Sequence, residues 1–164
     1  VAIRIVIRSE RIDLPVISRD RRVKDQGPDL YPPCDVALYH TAFGQPGQGG
    51  VTYLYAHARE GMFLPLLTAS EKRDGASLLG ELVQVTTSDG LVHVYTIVQV
   101  KRHALDFSIV DEGTPGTEQL ILQTSEGPAG TIPKLQVRAE LLDVRPADPD
   151  TPTPSPKPRA CYGE

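Results

Sequence analysis

The chain has 164 residues, a net charge of −4 and 40% hydrophobic residues, which suits one domain with a single core. That balance leaves no basic footprint for nucleic acid and no basic amphipathic stretch for an anionic membrane surface. No apolar run approaches the ~20 residues of a membrane span. The chain starts at Val1 rather than Met, as a trimmed chain does, so any signal peptide or membrane anchor is expected outside it.

Short β-type runs punctuated by Gly, Pro and Asp fill the first 145 residues. Residues 3–7 are β-branched and open the domain, and 14–17 form a second apolar run. Residues 19–33 alternate in charge, carry three prolines and read as a surface loop. Residues 35–39 suit either one helical turn, with Asp35 as its N-cap, or a short strand. The cluster at 44–50 is rich in glycine but lacks the Gly-Lys-Ser/Thr ending of a phosphate loop, so it reads as a turn.

A strand pattern follows over 51–57, ending on His57, and then a compact apolar segment at 61–67 that predicts a short helix. Residues 81–87 and 91–100, joined through Ser88-Asp89-Gly90, form the clearest hairpin. Two more strands are expected over 118–124 and 135–144. From residue 146 the composition turns to Pro, Asp and Thr, which predicts an extended, flexible tail over 146–164 behind a domain of residues 1–145. Many short strands with little helix indicate a closed all-β barrel, because closure removes exposed edges.

Cys34 and Cys161 have neither metal-ligand spacing nor a Cys-X-X-Cys arrangement. With Cys161 in the tail, two independent thiols are expected rather than one disulfide. The chain contains no asparagine, which excludes N-glycosylation and any Cys-His-Asn triad. His93 and His103 lack carboxylate or thiol companions at ligand spacing and read as structural. Asp106, Asp111 and Glu112 are scattered acids that do not make a metal site. On pattern alone, a histidine at a strand end, a serine opening a turn and an arginine on a polar strand face are ordinary features of a barrel.

A resemblance gives three of them a joint meaning. Ile121-Leu122-Gln123-Thr124-Ser125 resembles the sortase signature Thr-Leu-X-Thr-Cys, with Leu122 and Thr124 matching, Ile121 at the first Thr and Ser125 at the Cys. Ala56-His57-Ala58-Arg59, followed by Gly61, Phe63 and Leu66, resembles the sortase stretch of Gly-His, a turn and a Phe-X-X-Leu helix start. Arg138, in the last strand, falls where the sortase arginine would follow the nucleophile, with Lys134 as the rival cation.

The resemblance covers most of residues 5–144 and implies a sortase-like eight-stranded β-barrel with short helices. It implies a catalytic set of His57, Ser125 and Arg138, with no cofactor and no metal. In the family a cysteine thiolate attacks the threonyl carbonyl of a sorting motif and the acyl group passes to an amine. The implied partners are therefore a sorting-motif peptide and an amine acceptor, at the outer face of a bacterial membrane or cell wall.

A hydroxyl is neither ionised near neutral pH nor as polarisable as a thiol, so Ser125 implies impaired or absent transpeptidation. Three accounts of it stay open: natural loss with peptide binding retained, substitution of an original cysteine, and a serine acyltransferase or hydrolase using His57 as base. A plain peptide-binding barrel displayed by its tail is the alternative outside catalysis. Cys34 is the remaining thiol of the domain and a substitute nucleophile only if it can reach His57.

Overall fold

The computed structural model describes residues 1–18, 33–127, 133–159 and 161, so most of the loop expected over 19–33 lies outside the described residues. Eight strands run in the order β1 (Ala2–Ile7), β2 (Ile12–Ile17), β3 (Ala37–Tyr39), β4 (Val51–Tyr55), β5 (Leu82–Thr87), β6 (Leu91–Ala104), β7 (Gln119–Ser125) and β8 (Lys134–Pro146). They close into a barrel with neighbour order β1-β2-β3-β4-β7-β8-β6-β5. Two of the pairings are parallel, β2 with β3 and β4 with β7. The expected all-β, eight-stranded barrel with short helices is what forms.

The open alternative at 35–39 resolves as strand, because Ala37–Tyr39 bridges β2 and β4. Asp35 takes a positive φ of 70° and so caps no helix. The only α-helix among the described residues, α1, covers Leu64–Ser70 with Pro65 in its first turn, a position where the missing N–H costs nothing. It starts a turn later than residues 61–67 suggest, since Gly61, at φ 77°, belongs to the turn. The 81–100 hairpin forms as expected, with Gly90 at φ 84° in its turn. β6 then runs on to Ala104, because β8 pairs with it along its length through three register shifts.

Period-2 alternation sets two packed faces. Leu54 of β4 and Ala56 just past it, Leu120 and Leu122 of β7, and Leu135, Val137 and Ala139 of β8 point into the barrel, where Phe63 and Leu66 also pack. The opposite face of β4 and β7 is buried as well: Tyr53 and Ile121 pack there against Ile109, Phe43 and Phe107. A strand covered on both sides reads as a nearly unbroken apolar run, which is why Leu120-Ile121-Leu122 shows no alternation in the sequence.

Beyond β8 the chain turns back. The Ala147 N–H donates to the Gly90 carbonyl at 2.8 Å, and Pro149 with residues 151–154 lines a groove with Ile3, Arg4, Gln84 and Thr86. Arg159 then forms an antiparallel bridge with Cys34, and Cys161 is joined to Cys34 in a disulfide with Cα atoms 5.2 Å apart. This corrects the expectation of two independent thiols. An extended proline-rich segment reaches about 3.1 Å per residue, so thirteen or so residues carry the chain across the domain without any periodic signal.

Candidate functional site

The parallel β4–β7 ladder ends with Tyr55 opposite Gln123. Past it, the Ala56 N–H donates to the Gln123 carbonyl at 3.2 Å, and Thr124 Oγ1 donates to the Ala56 carbonyl at 2.8 Å. His57 and Ser125 each follow directly on this bonded pair, at the same end of two adjacent strands. His57 is 8% exposed, and its carbonyl accepts from the Phe63 N–H at 3.0 Å, which ties the β4 end to the turn before α1.

Ser125 is half-buried and closes β7, directly opposite Lys134, the first residue of β8. Lys134 is only 2% exposed, and its Nζ donates to Ser125 Oγ at 3.3 Å. Glu126 follows and holds the end of β6: its carboxylate accepts from the His103 N–H at 2.6 Å and pairs with His103 Nδ1 at 2.6 Å. That contact accounts for His103, whose φ of 59° is the strained conformation the clamp maintains. His93 lies elsewhere, its Nε2 3.2 Å from Thr87 Oγ1 beside the hairpin turn.

Arg138 lies on the same face of β8 as Lys134 but opposite Ile121 rather than Ser125. Four residues of strand separate it from Lys134, roughly 13 Å at about 3.3 Å per residue. Its Nε donates to Gln99 Oε1 at 2.7 Å and its Nη1 to Gln119 Oε1 at 3.3 Å. Between the two cations sits a buried polar network. The Tyr53 hydroxyl donates to Gln123 Oε1, and Gln136 Nε2 donates to the Tyr53 oxygen and to the Asp106 carbonyl, each at 2.9 Å. Burial raises the Tyr53 pKa well above the usual phenol value, which keeps its hydroxyl neutral as a donor.

The structure therefore brings His57 and Ser125 to one strand end and adds Lys134, while Arg138 belongs to a separate cluster. The register of β8 sets which of the two cations stands opposite Ser125, and with part of the β7–β8 connection lacking any pattern that register is not legible in the sequence. The sheet face running away from the strand end is roofed by rings. Phe43 stacks on Tyr53 with centroids 5.1 Å apart, and Phe107 meets Tyr53 edge-on at 5.2 Å. His40 closes the cluster, 5.0 Å from Phe43 and 5.3 Å from Phe107.

Asp106 and Glu112 do not converge. Asp106 accepts from the Ser108 N–H, which holds its carboxyl below the usual range, and Glu112 pairs with Lys101 at 2.7 Å. The group among the described residues with metal-ligand proximity is a different one, namely Cys34, His57 and Cys161. One His57 ring nitrogen lies within 4.8 Å of both sulfurs, so the disulfide sits against the histidine. Sequence spacing gives no hint of this group, since its members come from a loop, a strand end and the tail.

No protein-family model and no curated protein matches the chain. Solved structures do. Sortase A from Listeria monocytogenes superposes with a TM-score of 0.62 at 16% identity, covering 90% of this chain and 90% of that chain. Streptococcus pneumoniae sortase C gives a TM-score of 0.62 at 17% identity, covering 87% of this chain and 68% of that one. Clostridium perfringens sortase C, solved with the C-terminal cell wall sorting motif, gives 0.59 at 18% identity over 85% of this chain and 69% of that one. The chain has the sortase fold.

Proposed function

We propose that this is a bacterial cell-surface protein that binds an extended sorting-type peptide at the strand end carrying His57 and Ser125, and that it performs acyl transfer to an amine poorly or not at all. The observation behind this reading is the placement of Ser125 Oγ at the β7 terminus, beside the β4 end that bears His57 and 3.3 Å from Lys134 Nζ. A peptide carbonyl brought to Ser125 would meet a hydroxyl as nucleophile, His57 as the candidate base and a buried cation for the developing oxyanion. That cation is Lys134, which stands opposite Ser125; Arg138, the other candidate, stands opposite Ile121 and is held there by Gln99 and Gln119.

The chemistry stops at the nucleophile. An ammonium can only donate, so the Lys134–Ser125 hydrogen bond occupies a lone pair of Oγ and does nothing to remove its proton. A thiol at this place would be partly ionised near neutral pH without such help.

The test is Ser125→Cys incubated with Leu-Pro-X-Thr-Gly-type peptides and read by intact mass. The expected result is a thioester adduct that is absent from the Ser125 protein and lost again in Ser125→Cys with His57→Ala. An inert Ser125→Cys protein that also binds none of a broad peptide set overturns the reading. A second reading, a serine acyltransferase or hydrolase, draws on the same Lys134–Ser125 contact, because a deprotonated amine there would accept the hydroxyl proton. Fluorophosphonate labelling of Ser125 that disappears in Lys134→Met or His57→Ala selects it.

A further inference from the structure

Cys34, His57 and Cys161 come from three distant stretches of chain, yet their two sulfurs and one ring nitrogen all lie within 4.8 Å of one another. All three side chains are buried, at 0%, 8% and 3% exposure. The S–S bond is not the only thing that gathers them. Cys34 and Arg159 exchange two backbone hydrogen bonds, at 2.7 and 3.1 Å, and the Arg159 guanidinium pairs with Asp35 at 3.0 Å. Those contacts hold the tail against Cys34 and Asp35 at Arg159, two residues before Cys161. His57 is fixed independently from the barrel side by the β4–β7 ladder and the Phe63 N–H. The donor atoms thus stay neighbours when the sulfurs part.

We propose that Cys34, Cys161 and His57 form a zinc site in the reduced protein, and that the disulfide and the metal are mutually exclusive occupants of it. A dithiol reductant supplies two electrons and two protons to the Cys34–Cys161 bond, giving two thiols and the reductant's own disulfide. Zn²⁺ then displaces the two thiol protons to solvent and takes two Zn–S bonds and one Zn–N bond.

Bond lengths of about 2.3 Å to sulfur and 2.0–2.1 Å to nitrogen place these tetrahedral donors roughly 3.5–3.8 Å apart, so the two sulfurs must separate by nearly 2 Å from their bonded distance, about 1 Å each. Two thiolates cancel the charge of the ion, which suits two cysteines that belong to the apolar core cluster. Three protein ligands leave a fourth position open to water.

Metal binding here does not rest on the reading of Ser125 and is measured with metal alone. The full chain is reduced with a phosphine under anaerobic conditions and titrated with Co²⁺, then Zn²⁺, beside the oxidised chain. The expected result is about one equivalent of cobalt with thiolate charge-transfer and tetrahedral ligand-field bands, displaced by zinc and absent from the oxidised protein. Cys34→Ser is expected to lose the charge-transfer intensity, and His57→Ala to bind at least tenfold more weakly. Zinc is also expected to slow reoxidation to the disulfide. Equal zinc uptake by reduced and oxidised chains, or unchanged affinity in His57→Ala, overturns the proposal. The oxidised-against-reduced comparison needs no variant, so a misfolded Cys34→Ser leaves it intact.

Discussion

Lys134 Nζ lies 3.3 Å from Ser125 Oγ, across the first rung of the β7–β8 ladder, with the lysine side chain almost fully buried. A cation at that place is positioned for charge that develops on a carbonyl attacked from residue 125. Removing one such donor costs about 10²–10³ in rate in acyl transfer. In the Ser125→Cys protein, Lys134→Met keeps most of the aliphatic stem and is expected to slow peptide acylation by roughly 100-fold. Arg138→Met is expected to leave acylation nearly unchanged, because its guanidinium serves Gln99 and Gln119. Single-turnover acylation read by mass separates the two, and equal losses would return Arg138 to the site.

The strand carrying His57 is entered through a turn held by one buried carboxylate. Glu118 accepts from the Gly47 N–H at 3.0 Å, the Gly49 N–H at 2.9 Å and the Tyr95 hydroxyl at 3.0 Å. Burial and the Glu118 charge push the Tyr95 pKa up, so its hydroxyl stays a donor. Glu118→Ala leaves three donors without that acceptor and is expected to destabilise the fold by about 3 kcal/mol, with Glu118→Gln losing less because one carbonyl oxygen remains. Urea unfolding of the two variants measures the difference.

The Cys34–Cys161 disulfide spans 127 residues of sequence. In the chain-entropy account a loop of that size is worth up to about 5 kcal/mol, so Cys161→Ser is expected to lower stability by roughly 2–5 kcal/mol. Equilibrium unfolding with and without reductant tests it: reduction should cost the parent protein a similar amount and leave Cys161→Ser unaffected.

Much of the barrel was legible because its signals are local. Alternation in 51–55 and 82–87, the Asp89-Gly90 turn and the apolar run of β7 each report on a strand and its immediate neighbours. His57 and Ser125 could be singled out only through the resemblance of 56–66 and 121–125 to sortase motifs, since a histidine past a strand end and a serine closing one are ordinary in any barrel. What depended on register or on distant chain was hidden. Lys134 and Arg138 share one face of β8, and only the pairing with β7 tells which of them meets Ser125. Cys34 and Cys161 meet through a tail whose prolines carry no periodicity, and the Phe43–Tyr53–Phe107 roof draws one ring from each of three separate segments.

Glu10 and Glu81 give the fold a pH dependence that can be signed. Burial, and then the hydrogen bond and charge of Glu81, raise the Glu10 carboxyl to about 7. Its folded pKa therefore stands above the unfolded value near 4.5, and between those limits the native state binds the extra proton. Stability from this pair is fully present below about pH 4.5 and is lost as pH rises through about 7. Glu10 is only half-buried, so screening keeps the effect modest. Glu10→Gln is expected to flatten this part of the profile and to stabilise the protein at pH 8 relative to the parent. Thermal unfolding of both proteins between pH 4 and 8 reads it, and a parent that gains stability across that window while the variant tracks it would show that the two carboxyls do not share a proton.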